Sequence, residues 1–380
     1  MSGAVPRGRR VGFAATTVAL ALIVVLAAAE VALRVRYGKI ERITGASEWE
    51  VARSDGLTYH WDEYHPRLGW TNRAGYRSDD RVPFAVTING QGLRGPRDYA
   101  ARPPEGVRRL AVFGDSMTFG EEVDDDGTLP AHLERQLADN EALNFGVHGY
   151  GLGQMALRLE HEGFAMNPDH VVVVLLLPAD IYRDPQDHFV HNKPVFRLVD
   201  WELQISNVPV PVEDRQPWLL RRSFAAAWFL DRPERGPDPG TDLVVYAELA
   251  KQLVYRIKQG CDAQGVPFTL ALIVDAATLR QSANERTARD ILNQIRRTLA
   301  GPQVGGIDTL DLTDRLREAH AREGPSLVAA HGHWSARGNC RIAAWSAEHL
   351  AATDPAWSLS TDRASCDGSS SSAEATGRAG

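Results

Sequence analysis

Two residues of this 380-residue chain have the types and surroundings for nucleophilic chemistry, Ser116 and His333. Ser116 lies in Leu110-Ala111-Val112-Phe113-Gly114-Asp115-Ser116-Met117-Thr118-Phe119-Gly120, an apolar run of strand length that leads straight into Gly-Asp-Ser. Ligands of open parallel sheets sit beyond the carboxyl ends of the strands, so a serine there is placed to meet one. Its hydroxyl attacks only if a base takes the proton. Imidazole suits that task because its unperturbed pKa is near neutrality. The candidate base is His333, in His331-Gly332-His333-Trp334-Ser335-Ala336-Arg337-Gly338, just before a helical stretch that Ser335 is placed to cap.

The elements that must position this pair follow from the apolar pattern. Leu110–Phe113, Leu143–Phe145, Val171–Leu177, Phe268–Val274 and Ile307–Leu312 read as strands separated by helical segments. Leu129, Leu133 and Leu137 recur every four residues and share one helix face. The unbroken apolar run from Val171 to Leu177 implies a strand covered on both faces, as in buried parallel sheets. Together these predict a doubly wound α/β layer structure. Asn144-Phe145-Gly146-Val147-His148-Gly149-Tyr150-Gly151 then ends the second strand, and Pro178-Ala179-Asp180-Ile181-Tyr182 ends the third. A glycine-rich bend lets backbone N–H groups approach a ligand, as an oxyanion hole requires.

From about Arg108 to Leu350 the chain resembles the SGNH, or GDSL-type, hydrolases, which include esterases, lipases, deacetylases and acyltransferases. The resemblance implies a flavodoxin-like three-layer α/β/α sandwich with a parallel sheet and no cofactor. It implies Ser116 as nucleophile, His333 as general base, and the Ser116 and Gly149 backbone N–H groups as oxyanion donors, with Gly146 as the alternative glycine. Leu68-Gly69-Trp70 and Asn89-Gly90-Gln91-Gly92-Leu93-Arg94-Gly95 resemble stretches that precede this domain in membrane-anchored relatives.

The sequence departs from that family twice. Where the family has an oxyanion-binding Asn in Gly-Asn-Asp, this chain has Pro178-Ala179-Asp180, and Ala179 has no side-chain donor. Losing one such donor costs about 100–1,000-fold in turnover in a well-studied protease. Where the family has an Asp two or three residues before the base, this chain has His331 and Ala330, and a second imidazole supplies no fixed negative charge. Asp180 and Asp184 are acids that could turn toward the site, whereas Asp115 reads as a hydrogen-bonding residue of the turn. Two readings result. One is a hydrolase or acyltransferase acting on O-acyl esters of an envelope glycan or lipid. The other is a catalytically impaired binding or scaffold protein that uses the same cleft.

Val11–Ala29 carries no charge and approaches the roughly 20 residues that cross a bilayer core. An uncleaved anchor is the preferred reading; a cleaved secretory signal, with Arg7, Arg9 and Arg10 as its basic start, is the alternative. Both readings export the rest of the chain. The expected organisation is a cytoplasmic stub at 1–10, an anchor at 11–33, a stalk or β-rich annex at 34–106, the hydrolase-like domain at 107–356 and a disordered tail at 357–380. An insertion at 183–241, bearing Trp201, Trp218 and Trp228, is expected over the ligand site or packed on the core.

Lys and Arg number 42 against 49 Asp and Glu, a net charge of −7 that gives no general attraction for nucleic acid. A composition 43% hydrophobic and 24% charged is that of a globular protein with a real core, which excludes disorder as a whole and a multi-pass membrane protein. Three cysteines exclude a disulfide framework; Cys261 and Cys340 read as ordinary helix residues. His188 and His191, near Asp184 and Asp187, lack a third-ligand motif and are not expected to bind metal.

Overall fold

A computed structural model describes residues 7–38, 61–79, 82–211, 223–230, 243–275, 278–279, 293–294, 296–299, 306–363 and 365–366. The chain divides into two compact units, residues 1–58 with 213–235 and residues 59–212 with 236–380.

Among the described residues of the larger unit the strands are β1 (Asp62–His65), β2 (Gly69–Asn72), β3 (Arg108–Phe113), β4 (Asn140–Asn144), β5 (His170–Leu177), β6 (Val195–Val199), β7 (Glu202–Ser206), β8 (Phe268–Val274) and β9 (Asp308–Asp311). Five of them form one parallel sheet in the order β4-β3-β5-β8-β9. This is the flavodoxin-like order, with the second strand outermost beside the first. Every residue of β5 and β8 is buried, which is why these strands read as unbroken apolar runs.

The described helices of this unit, taken with the apolar helix α1 (Arg7–Tyr37) in chain order, are α2 (Ser116–Phe119), α3 (Leu129–Gln136), α4 (Leu152–Arg158), α5 (Ala179–Arg183), α7 (Leu243–Gln264), α8 (Thr313–Glu323) and α9 (Ala336–Thr353); α1 and α6 (Phe224–Leu230) belong to the smaller unit. The connection from β3 runs outward to β4 and the next runs back across to β5. Right-handed crossovers in opposite directions put α3 and α4 on opposite faces. Accordingly α3 packs with α9, and α4 packs with α7. The reversal falls between β3 and β5, and Ser116 follows the first of these strands while Ala179 follows the second. The crevice where such folds hold ligands thus lies between those two strand ends.

Three organisational expectations need correction. Within the stretch expected to be a stalk or annex, Trp61–Tyr99 is built onto the sheet domain: Leu68, Trp70 and Leu93 enter its core, and Arg94 N–H bonds the Asn144 carbonyl at 3.2 Å. Residues 39–60 lie outside the described residues. The start of the stretch expected to be a tail is built onto the domain, because Trp357 is buried and Leu359 bridges Leu137. Residues 367–380 lie outside the described residues. Cys340 is not an ordinary thiol, since it is bonded to Cys366 across a separation of 26 residues, leaving Cys261 free and buried.

In the smaller unit, Thr16–Arg36 is a 21-residue stretch of mean hydropathy 2.4, long and apolar enough to cross a membrane. Glu30 accepts hydrogen bonds from Ser223 Oγ and from the N–H groups of Phe224 and Ala225, so it caps α6. Of the stretch expected to be an insertion, 183–212 falls in the larger unit and 213–235 in the smaller one. Trp201 is 61% exposed, Trp228 is also exposed, and Trp218 lies outside the described residues.

Candidate active site

The turn after β3 is shaped by close packing. A Cβ on Gly114 would collide with the Thr118 side chain and the Val174 carbonyl, so only glycine lets the chain leave the sheet here. Asp115 then caps α2 by accepting from Met117 N–H at 2.9 Å, and its other oxygen accepts from Arg183 Nη1 at 2.9 Å. Its role is that of a turn residue. Ser116 opens the helix, and after one turn Gly120, at φ +79°, ends it in the left-handed region. Gly120 and Glu121 N–H both return to the Ser116 carbonyl. This reversal carries Glu121 and Glu122 back beside the serine.

His333 comes from the other end of the chain. Val328 and Trp334 form a bridge, Ala329 N–H bonds the His333 carbonyl at 2.8 Å, and Ser335 caps α9 through Gly338 N–H. The hairpin-like loop sets His333 Nε2 2.9 Å from Ser116 Oγ. On the far side of the ring, Nδ1 lies 2.7 Å from Glu122 Oε2. The same carboxylate accepts from His331 N–H at 2.8 Å and His333 N–H at 3.2 Å. Ser116, Glu122 and His333 are all buried.

The acid absent ahead of the base is therefore present in space as Glu122. Sequence reasoning missed it, although a left-handed glycine one turn after the serine, followed by two acids, was a readable signal. His331 contributes its backbone rather than its imidazole. Asp180 and Asp184 are engaged elsewhere: Asp180 accepts from Leu176 N–H and Arg183, and Asp184 accepts from Gly153 N–H. Burial, then the neighbouring Asp115 charge, pushes Asp180 well above the usual carboxylate range; burial likewise raises Asp184.

Burial opposes a charged His333, but Glu121 and Glu122 outweigh it and raise the imidazole to about 10. Burial also works against the two carboxylates, yet bonds to His333 hold Glu122 below its ordinary value, and His148 and His333 do the same for Glu121.

Of the two candidate glycines, Gly146 is committed to packing. A Cβ there would strike the Phe119 backbone, its N–H bonds Asn144 Oδ1, and its carbonyl accepts from Asn72. Gly149 has φ +71°, and Phe189 and Val190 of the insertion close against it. No acceptor takes the N–H of Ser116 or Gly149 among the described residues. His148, just before it, is fixed by Trp70 Nε1 bonding its carbonyl at 3.0 Å and by Asp62 on its ring at 2.8 Å. Ala179 opens α5 with a methyl group and no donor.

Of the pair His188 and His191, His191 Nε2 lies 2.8 Å from Asp62 Oδ2, and the His188 backbone forms a bridge with that of Asn192. His65, His161 and Glu162 do bring ligand-type atoms within 4.8 Å of one another, but Glu162 is paired with Arg158 and His65 Nδ1 accepts from Arg67 and Leu68 N–H.

No protein-family model and no curated protein matches the chain. Among solved structures it is similar to a member of the lipolytic protein G-D-S-L family from Veillonella parvula, at 13% identity over 66% of this chain and 99% of that one, TM-score 0.37. A lipase/acylhydrolase from Enterococcus faecalis is similar at 15% identity over 64% and 95%, TM-score 0.38. An acetyl xylan esterase is similar at 16% identity over 64% and 99%, TM-score 0.38.

Proposed function

We propose that this chain is a serine hydrolase acting on O-acyl esters, with Ser116, His333 and Glu122 as its triad. One observation carries the reading: the continuous line from Ser116 Oγ to His333 Nε2 at 2.9 Å and from His333 Nδ1 to Glu122 at 2.7 Å. In that arrangement neutral His333 takes the Ser116 proton as Oγ attacks the ester carbonyl, and Glu122 holds the tautomer and stabilises the imidazolium. The Ser116 and Gly149 N–H groups receive the oxyanion. His333 then returns the proton to the departing alcohol, and water, or a second alcohol in a transferase, releases the acyl group from Ser116. With Ala179 in place of an amide side chain, the site is matched to esters, whose leaving group is better than that of an amide.

The compartment belongs to the same proposal. The apolar helix is an anchor, the domain is extracytoplasmic, and the substrate is an acylated glycan or lipid of the envelope. The Cys340–Cys366 bond supports an oxidising compartment. Glu30 supports retention of the helix, because it caps α6 from within the apolar stretch.

The test is labelling of the full chain in detergent by a serine-directed phosphonate, with the modified peptide located by mass spectrometry. Labelling at Ser116 that is lost in His333→Ala is the expected result. Folded protein that stays unlabelled from about pH 6 to 11, a range that spans the titration of a raised histidine, overturns the hydrolase reading in favour of a binding protein.

A further inference from the structure

The mechanism above leaves one buried acid unused. Glu121 is only 4% exposed, and its Oε2 lies 3.3 Å from His333 Nε2, the nitrogen that faces Ser116. Its Oε1 lies 3.7 Å from His148 Nδ1. Neither contact has the geometry of a direct hydrogen bond, in contrast to the close bonds of Glu122. Leaving a buried carboxylate without hydrogen bonds is costly, so a purely structural role would favour an apolar residue of similar size here.

What surrounds Glu121 makes its charge tenable. His148 Nε2 is 2.8 Å from both Asp62 oxygens, and Asp62 also meets His191 Nε2 at 2.8 Å. The line Ser116, His333, Glu121, His148, Asp62, His191 thus alternates acid and imidazole from the nucleophile to a part-exposed ring, drawing on β1, the turn after α2, the loop after β4 and the insertion. Burial disfavours a charged His148, but Asp62 and Glu121 raise it to about 9, so it is an imidazolium near neutrality. Asp62, despite its burial, is held far below its ordinary value by His148 and His191. The groups facing His333 are Glu121 and Glu122, and those facing Glu121 are His333 and His148.

We propose that Glu121 is a second positioning carboxylate of the base, kept ionised by the Asp62–His148 pair, and that it sets the pH at which His333 becomes competent to take the Ser116 proton. It rests on the reading of His333 as base. The geometry gives the two acids different duties. Glu122 orients the ring through Nδ1 and anchors the loop backbone, while Glu121 acts through space on the nitrogen that exchanges the proton. Because it favours the charged ring, Glu121 withholds neutral base at low pH and releases it only in alkaline solution.

The experiment is a ¹⁵N-imidazole NMR titration of His333 in the full chain, wild type against Glu121→Gln, beside the pH dependence of phosphonate labelling at Ser116. An opposite charge at this range moves a pKa by about 1–3 units, so the His333 titration falls by that amount in the variant and the acid limb of labelling moves down with it. Near pH 7 the variant labels about tenfold faster or more, an increase that loss of a structural residue does not produce. Asp62→Asn, two links away, shifts both in the same direction by less, and serves if Glu121→Gln does not fold. A His333 titration unmoved in both variants overturns the proposal. A His333 titration that moves while Ser116 stays unlabelled keeps the electrostatic assignment and removes the hydrolase reading.

Discussion

The two flanks of Ser116 are furnished differently in space. On the base side, the position ahead of His333 carries no acid, yet Glu122 bonds Nδ1 at 2.7 Å. On the flank formed by the end of β5, Ala179 offers only a methyl group. The difference lies in what each role demands. Orienting an imidazole needs a carboxylate within reach of Nδ1, and any segment passing that point can supply it. Binding an oxyanion needs an N–H aimed at one place in the crevice, and the third strand end is the element that reaches it. The carboxylate can therefore come from any element that passes Nδ1, whereas the β5 flank leaves only the backbone N–H groups of Ser116 and Gly149.

That contrast is breakable, starting where the effect is largest. Glu122→Gln keeps the shape but removes the charge, and hydrolysis of an activated acyl ester falls by about 10³–10⁴-fold, as an amide swap does in a serine protease. A loss under tenfold would mean that the base side is not rebuilt after all. Ala179→Asn tests the other flank in the opposite sense. Restoring an amide raises kcat by roughly 10–100-fold with KM little changed, a cautious share of what such a donor contributes elsewhere. A fall in kcat would show that the crevice has closed around the methyl group.

The smallest effect is on stability, and it sharpens the comparison through pH. His333 and His148 are raised to about 10 and about 9, so their contribution is complete below the unfolded value near 6.5 and disappears as pH rises through 9 and 10. The melting temperature therefore drops between pH 7 and 10.5, by about 5–10 °C if a few kcal/mol are involved. Catalysis moves the other way. At pH 7 only about one molecule in a thousand has a neutral base of that pKa, and labelling rises near tenfold per pH unit toward 10. A bell centred on neutrality, measured by differential scanning and initial rates, would contradict both. On the acid side Asp62, Glu121 and Glu122 are depressed, and their contribution is lost as pH falls through the carboxylate range.

The sheet was legible because burial on both faces writes itself into local composition. Phe268–Val274 was read with the bounds it has, and Val171–Leu177 within one residue. The juxtaposition of Ser116 and His333 was legible because each sits at an element boundary with punctuation around it, Gly114 and Gly120 for one and Ser335 for the other. The acid was not, since searching for it just before His333 assumed that neighbours in chain order are neighbours in space. Asp62 was missed for a related reason. Its stretch has the turn-rich composition of a stalk, and only its partners, His148 and Gly149's loop, reveal it as part of the site's wall. Cys340 and Cys366 were too few and too far apart to suggest a bond.

The span between Ser116 and His333, 217 residues, has a consequence in time. Nucleophile, acid and second carboxylate emerge early from the ribosome on a single short turn, and the base emerges only with the final helix. Contacts separated so widely in the chain form late because loop-closure entropy must be met first. A nascent chain therefore carries Ser116 without its imidazole partner through most of synthesis, and the pair forms only after the His333 loop has docked.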